Sequence, residues 1–173
     1  QGNHETSVSK RSETNVLERL VERINALSNT NIQLGAYMGF INMNLGKGIG
    51  NNRTFNIAYS HGNWGGVVTK GSLSVSRYAA LFDCADVVIS SHTHDSWHMK
   101  FNKLTPNLHK GKIENKVQHH IKTGTYKEEF EEGEGWAVEK IAMPKSLGSC
   151  FGKVFYHRDK DLDFDFTQTR QYY

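Results

Sequence analysis

Three short stretches hold side chains able to do chemistry: Gly2-Asn3-His4-Glu5, Ser60-His61-Gly62 and Ser91-His92-Thr93-His94-Asp95. Each supplies imidazole or amide groups, donors that suit first-row divalent metals. Neutral imidazoles and an amide oxygen hold a cation without adding negative charge. That matters for an anionic ester, which repels its own nucleophile. Two cations roughly 3.5–4 Å apart neutralise phosphoryl oxygens and turn a bound water into hydroxide near neutral pH. Taken one at a time the stretches have plainer readings. His61 at a strand end is an ordinary structural histidine, and Asn3 is an ordinary turn residue. On a strict strand His92 and His94 would face the same side as a structural pair.

The elements around these stretches decide whether they can meet. Phe55-Asn56-Ile57-Ala58-Tyr59 is rich in aromatic and β-branched residues and predicts a strand ending just before His61. Asp86-Val87-Val88-Ile89-Ser90 is a continuous apolar run, as expected of a strand covered on both faces, and it stops at Ser91-His92. Between them 72–83 predicts a helix, with Leu73, Tyr78, Ala79, Leu81 and Phe82 on one broad face and Ser72 or Ser74 at its start. Strand, helix and strand make a βαβ crossover, which brings His61 and His92 to one edge of a parallel sheet. Downstream of Gly2-Asn3-His4-Glu5 a helix is predicted over 14–28, where Val16, Leu17, Leu20, Val21, Ile24 and Leu27 form an apolar stripe.

With order and spacing on the page, the chain resembles the C-terminal part of a calcineurin-like metallophosphoesterase, a family that includes nuclease-like and phage members. That family carries five blocks: Asp-x-His, Gly-Asp-x-x-Asp, Gly-Asn-His-Asp/Glu, a lone His, and Gly-His-x-His. Gly2-Asn3-His4-Glu5 matches the third, His61 the fourth and His92-Thr93-His94 the fifth, so the resemblance covers about the first hundred residues. It implies a four-layer αββα sandwich and two divalent metal ions, Mn, Fe or Zn. It implies Asn3, His61 and His92 as ligands of one ion and His94 as a ligand of the other. His4 would donate a proton to the leaving group, with Glu5 orienting its imidazole. The implied substrate is a phosphate ester, a phosphodiester first, with DNA as a candidate. Two departures stand out. The first two blocks, which carry the bridging carboxylate, are absent, so the chain reads as an incomplete domain whose N-terminal segment or a partner chain supplies them. Ser91 stands where the family has Gly, and Ser is less tolerant of positive φ. A catalytically inactive scaffold of the same fold is the alternative.

The rest of the sequence sets bounds. In 173 residues, 37% hydrophobic and 11% aromatic, there is enough apolar material for one core, and no run approaches a membrane span. The net charge of +3 permits a phosphate-bearing partner without a dense Lys/Arg cluster. Cys84 and Cys150 are not spaced as a metal knuckle and read as buried thiols of a cytoplasmic protein. We divide the chain into a metal-site half, 1–95, and a strand-rich half, 96–173, forming a second sheet. Strands are expected at 96–101, 112–123, 136–142, 153–156 and 161–166, with turns at Thr105-Pro106, Gly133-Glu134-Gly135 and Met143-Pro144. In the last strand Leu162, Phe164 and Phe166 alternate with Asp161, Asp163 and Asp165. Gly46 to Asn52 reads as a surface turn and Glu128 to Glu132 as a solvated acidic loop. Asp95 and Trp97 could line the cleft. His98, His109, His119, His120 and His157 fall in no block and are expected at the surface.

Overall fold

The computed structural model describes residues 2–46, 53–62, 69–128, 130, 133, 136–155 and 162–169, with the backbone alone for Asn3 and Trp136. Helices α1 (Asn3–Ser12) and α2 (Val16–Ser28) lead into strands β1 (Met38–Asn44) and β2 (Thr54–Ser60). Helix α3 (Ser74–Leu81) follows, then β3 (Val87–Ser90), β4 (Trp97–Asn107) and β5 (Lys112–Lys122). A short helix α4 (Trp136–Glu139) precedes the hairpin β6 (Ser149–Phe155) and β7 (Asp163–Thr169). The fold is mixed α/β. Five strands form one sheet in the order β1-β2-β3-β5-β4. Its middle, β2, β3 and β5, is parallel, and β1 and β4 join antiparallel at the edges.

The predicted crossover is present. β2 and β3 are parallel neighbours with Ser60 opposite Ser90, and α3 connects them. The chain reverses after β3 because Ser91 and His92 end the apolar run, leaving β3 short and central. On the helix side of the sheet the packed residues are small: Ala58 and Val88 lie against Phe82 and Ala85, with Tyr78 beside them. Gln118 of β5 donates its amide to the carbonyls of Phe82 and Ala85, both at 2.8 Å, so a fully buried polar side chain satisfies the end of α3.

The opposite face receives the β6–β7 hairpin. Phe164 and Phe166 point inward and Asp163 and Asp165 outward, as the alternation predicted. Phe164 packs edge-on to Phe55 of β2 at 5.3 Å between centroids, and Phe166 packs on His98 and His119. The expected second sheet is therefore represented by two strands lying on the first.

Several expectations need correction. Residues 136–142 begin with α4 rather than a strand: Trp136, Val138 and Ala142 fit a strand's alternation, while Trp136, Ala137 and Ile141 fit a helical face, so a short apolar run leaves the period undecided. Thr105-Pro106 lies inside β4, not at a turn. As an edge strand β4 tolerates a residue with no N–H to donate. Strand β1 was not anticipated, because its Gly-Phe-Ile-Asn-Met-Asn run carries no clear period and is mostly exposed. The apolar stripe of α2 exists but buries no residue. Cys84 is exposed and Cys150 partly so, and both are free. Most of the Gly46–Asn52 stretch, part of the acidic loop and His157 lie outside the described residues. Among the described residues no helix is long and apolar enough to cross a membrane.

Candidate metal centre

The carboxyl ends of β2 and β3 set the site. The N–H of His61 donates to the Tyr37 carbonyl at 2.9 Å, fixing the residue that follows β2. One strand over, Ser91 Oγ donates to the His61 carbonyl at 3.1 Å and ties the two loops together. Ser91 thus contributes a bond, and it is not among the residues at positive φ. The positive φ falls instead on His92, at 73°, and His94, at 58°. The N–H of Thr93 bonds the Ser91 carbonyl at 3.0 Å, closing a three-residue turn centred on His92. A left-handed conformation at two non-glycine residues so close together is costly, and such strain gathers where geometry matters more than stability.

This turn brings His92 to His61. Their Nδ1 and Nε2 atoms are 3.1 Å apart, with the rings edge-to-face at 69°. Two nitrogens bound to one ion at 2.0–2.1 Å, with angles of 90–110°, are separated by about 2.8–3.4 Å. The two rings are hydrogen-bonded to each other, one N–H donating to the other ring's bare nitrogen, and a separation of this size is also compatible with two ligands on a single cation. Tyr37 packs on the other side of His61 at 5.0 Å and donates its hydroxyl to the Gly62 carbonyl at 3.3 Å.

The third block arrives at the same point in a form the sequence did not suggest. Gly2-Asn3-His4-Glu5 is the first turn of α1, with Gly2 as its N-cap. Glu5 accepts the Gly2 N–H at 2.9 Å, which pins down the start of the helix. A Cβ on Gly2 would stand 2.9 Å from His61 Cε1, so only glycine lets α1 approach the imidazole this closely. Asn3 follows directly, and its amide is not among the described side chains. His4 is exposed on the same turn, and its charge bears on both His61 and His92. Glu5 accepts a backbone N–H, and its carboxyl is held low first by its own and the Gly2 N–H groups, with the nearby His4 lowering it further.

Burial pushes the His61 imidazole below its ordinary value, and the adjacent His92 adds to this. His92 is lowered by burial first, then by Lys122 and His94. Both rings are thus biased toward the neutral form that a metal requires. A cleft of about 430 Å³ lies beside His61, lined by Gly2, Glu5, Tyr37, Tyr59, His61, Ser91 and Thr123 among others; His92 is not part of its lining. Thr93 Oγ1 is buried without a hydrogen-bond partner.

Not every expected residue joins the site. Asp95 is buried and accepts Lys145 Nζ at 3.3 Å, and the Trp97 indole N–H donates to the Lys70 carbonyl at 2.9 Å; neither lines the cleft. His119 and His120 are buried at 3% and 1% exposure, contrary to the surface expectation. Both lie on β5, which is covered on its two faces by α3 and the β6–β7 hairpin. His98 is half-buried against His119 at 3.0 Å, and His109 is exposed as expected. Sequence reasoning missed Lys122, which is buried at the end of β5, in register with Ser90. Its one signal was position: it directly precedes the Thr123-Gly124 break that ends the strand. Among the described residues no group of three or more His, Cys, Asp or Glu side chains is gathered to hold a metal. Comparison with protein-family models, with curated proteins and with solved structures finds no match for this chain.

Proposed function

We propose that this chain is part of a metal-dependent phosphoesterase of the calcineurin-like kind, built as a four-layer sandwich when complete. The observation that carries the reading is the 3.1 Å approach of His61 Nε2 and His92 Nδ1, at the edge where the first turn of α1 also arrives. That His61, His92 and the start of α1, far apart in sequence, lie near one another supports the reading. His61 and His92, with Asn3, would hold one divalent ion (Mn, Fe or Zn), and His94 would reach toward a second. Bound metals would supply charge neutralisation of the phosphoryl group and an activated water.

The chain's own residues do the rest. Ser91 and Tyr37 hold the loop carbonyls and so fix the direction of His61. The turn at Thr93 fixes His92. His4, exposed on α1, protonates the leaving-group oxygen. The substrate is a phosphodiester, with DNA as the leading candidate. Lys100, Lys110, Lys112 and Lys116 are exposed along β4, β5 and their connection, which gives a polyanion something to lie against. The setting is cytoplasmic, where two free thiols persist.

One observation favours a second reading, a scaffold without turnover: the described residues gather two imidazoles but no third donor of the His, Cys, Asp or Glu kind. On either reading the isolated chain hydrolyses phosphodiesters negligibly, since among the described residues no carboxylate is gathered with the two imidazoles to bridge a pair of ions. With the Asp-x-His and Gly-Asp-x-x-Asp blocks supplied, the enzyme reading predicts chelator-sensitive turnover. In that complete form His92→Ala loses metal and activity together. His4→Ala keeps metal, loses about 100-fold on an alkyl leaving group, and loses far less on an activated aryl one. Equal losses on both leaving groups would remove His4 as the proton donor, and no turnover at all would establish the scaffold.

A further inference from the structure

The cleft beside His61 is bounded by several parts of the chain, and each brings its own chemistry. Its floor is the carboxyl end of the parallel strands: Ser60 closes β2, Ser90 closes β3, and Thr123 follows β5 directly. In an open α/β sheet that is where ligands enter. Glu5, on the first turn of α1, and Leu17 of α2 form one side. Ala36 and Tyr37, on the segment leading into β1, form another, and Tyr59 and Ile89 add the strands' own apolar surface. At about 430 Å³ the cleft falls within the range of small-molecule sites, roughly 300–1,000 Å³.

Charge narrows what fits. Among the described residues that line the cleft there is no lysine or arginine, and the one carboxylate is Glu5. A phosphate would meet a negative charge here and no fixed positive one. A flat, uncharged ring meets aromatic side chains of the kind on which bases stack, and a carboxylate that accepts from ring amines. Glu5 spends one oxygen on the Gly2 N–H at 2.9 Å, and a carboxylate keeps lone pairs for further donors. Space beside β2 lets Tyr59 take its place: a Cβ on Gly35 would stand 2.7 Å from its hydroxyl oxygen, and one on Gly39 2.6 Å. Two glycines thus leave room for this one aromatic ring.

We propose that the cleft binds a nucleobase, the uncharged end of a nucleotide substrate, with Glu5 accepting a hydrogen bond from its exocyclic amine. The assignment rests on the phosphoesterase reading only for the place of the phosphate, which lies outside the cleft at the histidine pair. Glu5 and the tyrosines then select what is attached to the phosphate, and the imidazoles deal with the phosphate itself.

Nucleosides carry no phosphate and chelator removes metal, so titration calorimetry of the 173-residue chain with adenosine in chelator probes the cleft alone. Adenosine binds saturably, and at least about 10-fold more tightly than inosine, in which a carbonyl replaces the amine and meets the carboxylate. Glu5→Gln keeps an amide oxygen for the Gly2 N–H and erases that preference. Ala36→Trp, an enlargement at an exposed position on the lining, fills the cleft and weakens adenosine at least about 10-fold, with the circular dichroism of the parent retained. No saturable binding of adenosine to the parent chain overturns the proposal. So do equal affinities for adenosine and inosine, or undiminished binding in Ala36→Trp. Metal titration without chelator is read separately. Adenosine bound by a chain that takes up no metal keeps the cleft and removes the metal centre, and metal uptake without adenosine binding does the reverse.

Discussion

Two histidine pairs in this protein share one contact and differ in everything around it. His61 and His92 bring ring nitrogens to 3.1 Å, and His98 and His119 bring theirs to 3.0 Å. The first pair sits in loops past the ends of parallel strands, with one member, His61, lining an open cleft and the other, His92, at positive φ. The second sits within β4 and β5, its rings nearly parallel at 10°, and is covered by Phe164 and Phe166. Distance alone would assign both to metal binding. Placement separates them: a ligand pair needs room for the ion and for water or substrate beyond it, whereas the inner pair is packed like an aromatic cluster. A short imidazole contact therefore says little until its surroundings are known.

The comparison can be broken by metal. His61→Ala should abolish Mn²⁺ or Zn²⁺ binding, a loss of at least about 100-fold, and His98→Ala should leave it within about twofold. Titration calorimetry of the two variants checks this, and a loss of metal in His98→Ala would make the inner pair the site. Stability should invert the order. His119→Ala removes a ring from a filled core and leaves the His98 nitrogen unpaired, so denaturant unfolding should show a loss of about 3 kcal/mol. His61→Ala, at a strained and half-buried edge, should fall within about 1 kcal/mol of the parent.

Acid sharpens the contrast most finely. Burial drives His119 and His120 down to about 4 from an ordinary value of 6.5. His98 beside His119, and Lys103 near His120, add to those shifts. Their folded-state values lie below the unfolded ones, so the unfolded chain takes up protons first. The stability they contribute is complete above pH 6.5 and drains away as the pH falls through about 4. The melting temperature should decline across that window, and His119→Phe should flatten the decline. An unchanged slope would mean that other groups govern acid unfolding.

Much of this was legible in the residues. The crossover was, because Val87-Val88-Ile89 reads as a covered strand and the stretch around Tyr78 to Phe82 has a helical face. The convergence of His61 and His92 followed from that topology. What the sequence hid were features that depend on neighbours. His119 and His120 look polar and exposed until α3 and the β6–β7 hairpin cover both faces of β5. Nothing in a lysine's identity announces burial, and Lys122 is buried only because a glycine elsewhere makes space. Gly2 read only as one position of a four-residue block, whereas its missing Cβ lets a helix approach an imidazole closely. Residues 136–142 went wrong for a local reason, since a short apolar run fits either period.

The left-handed backbone at His92 and His94 also bears on any effort to make the protein sturdier. A glycine at either position would relieve strain of about 1–3 kcal/mol, so a selection for heat resistance alone should recover His92→Gly early. Such a survivor would melt later and lack the imidazole that faces His61. A screen that reads only melting temperature would in this way erase the feature that makes the edge of the sheet worth studying, whereas one that also reads metal uptake would keep it.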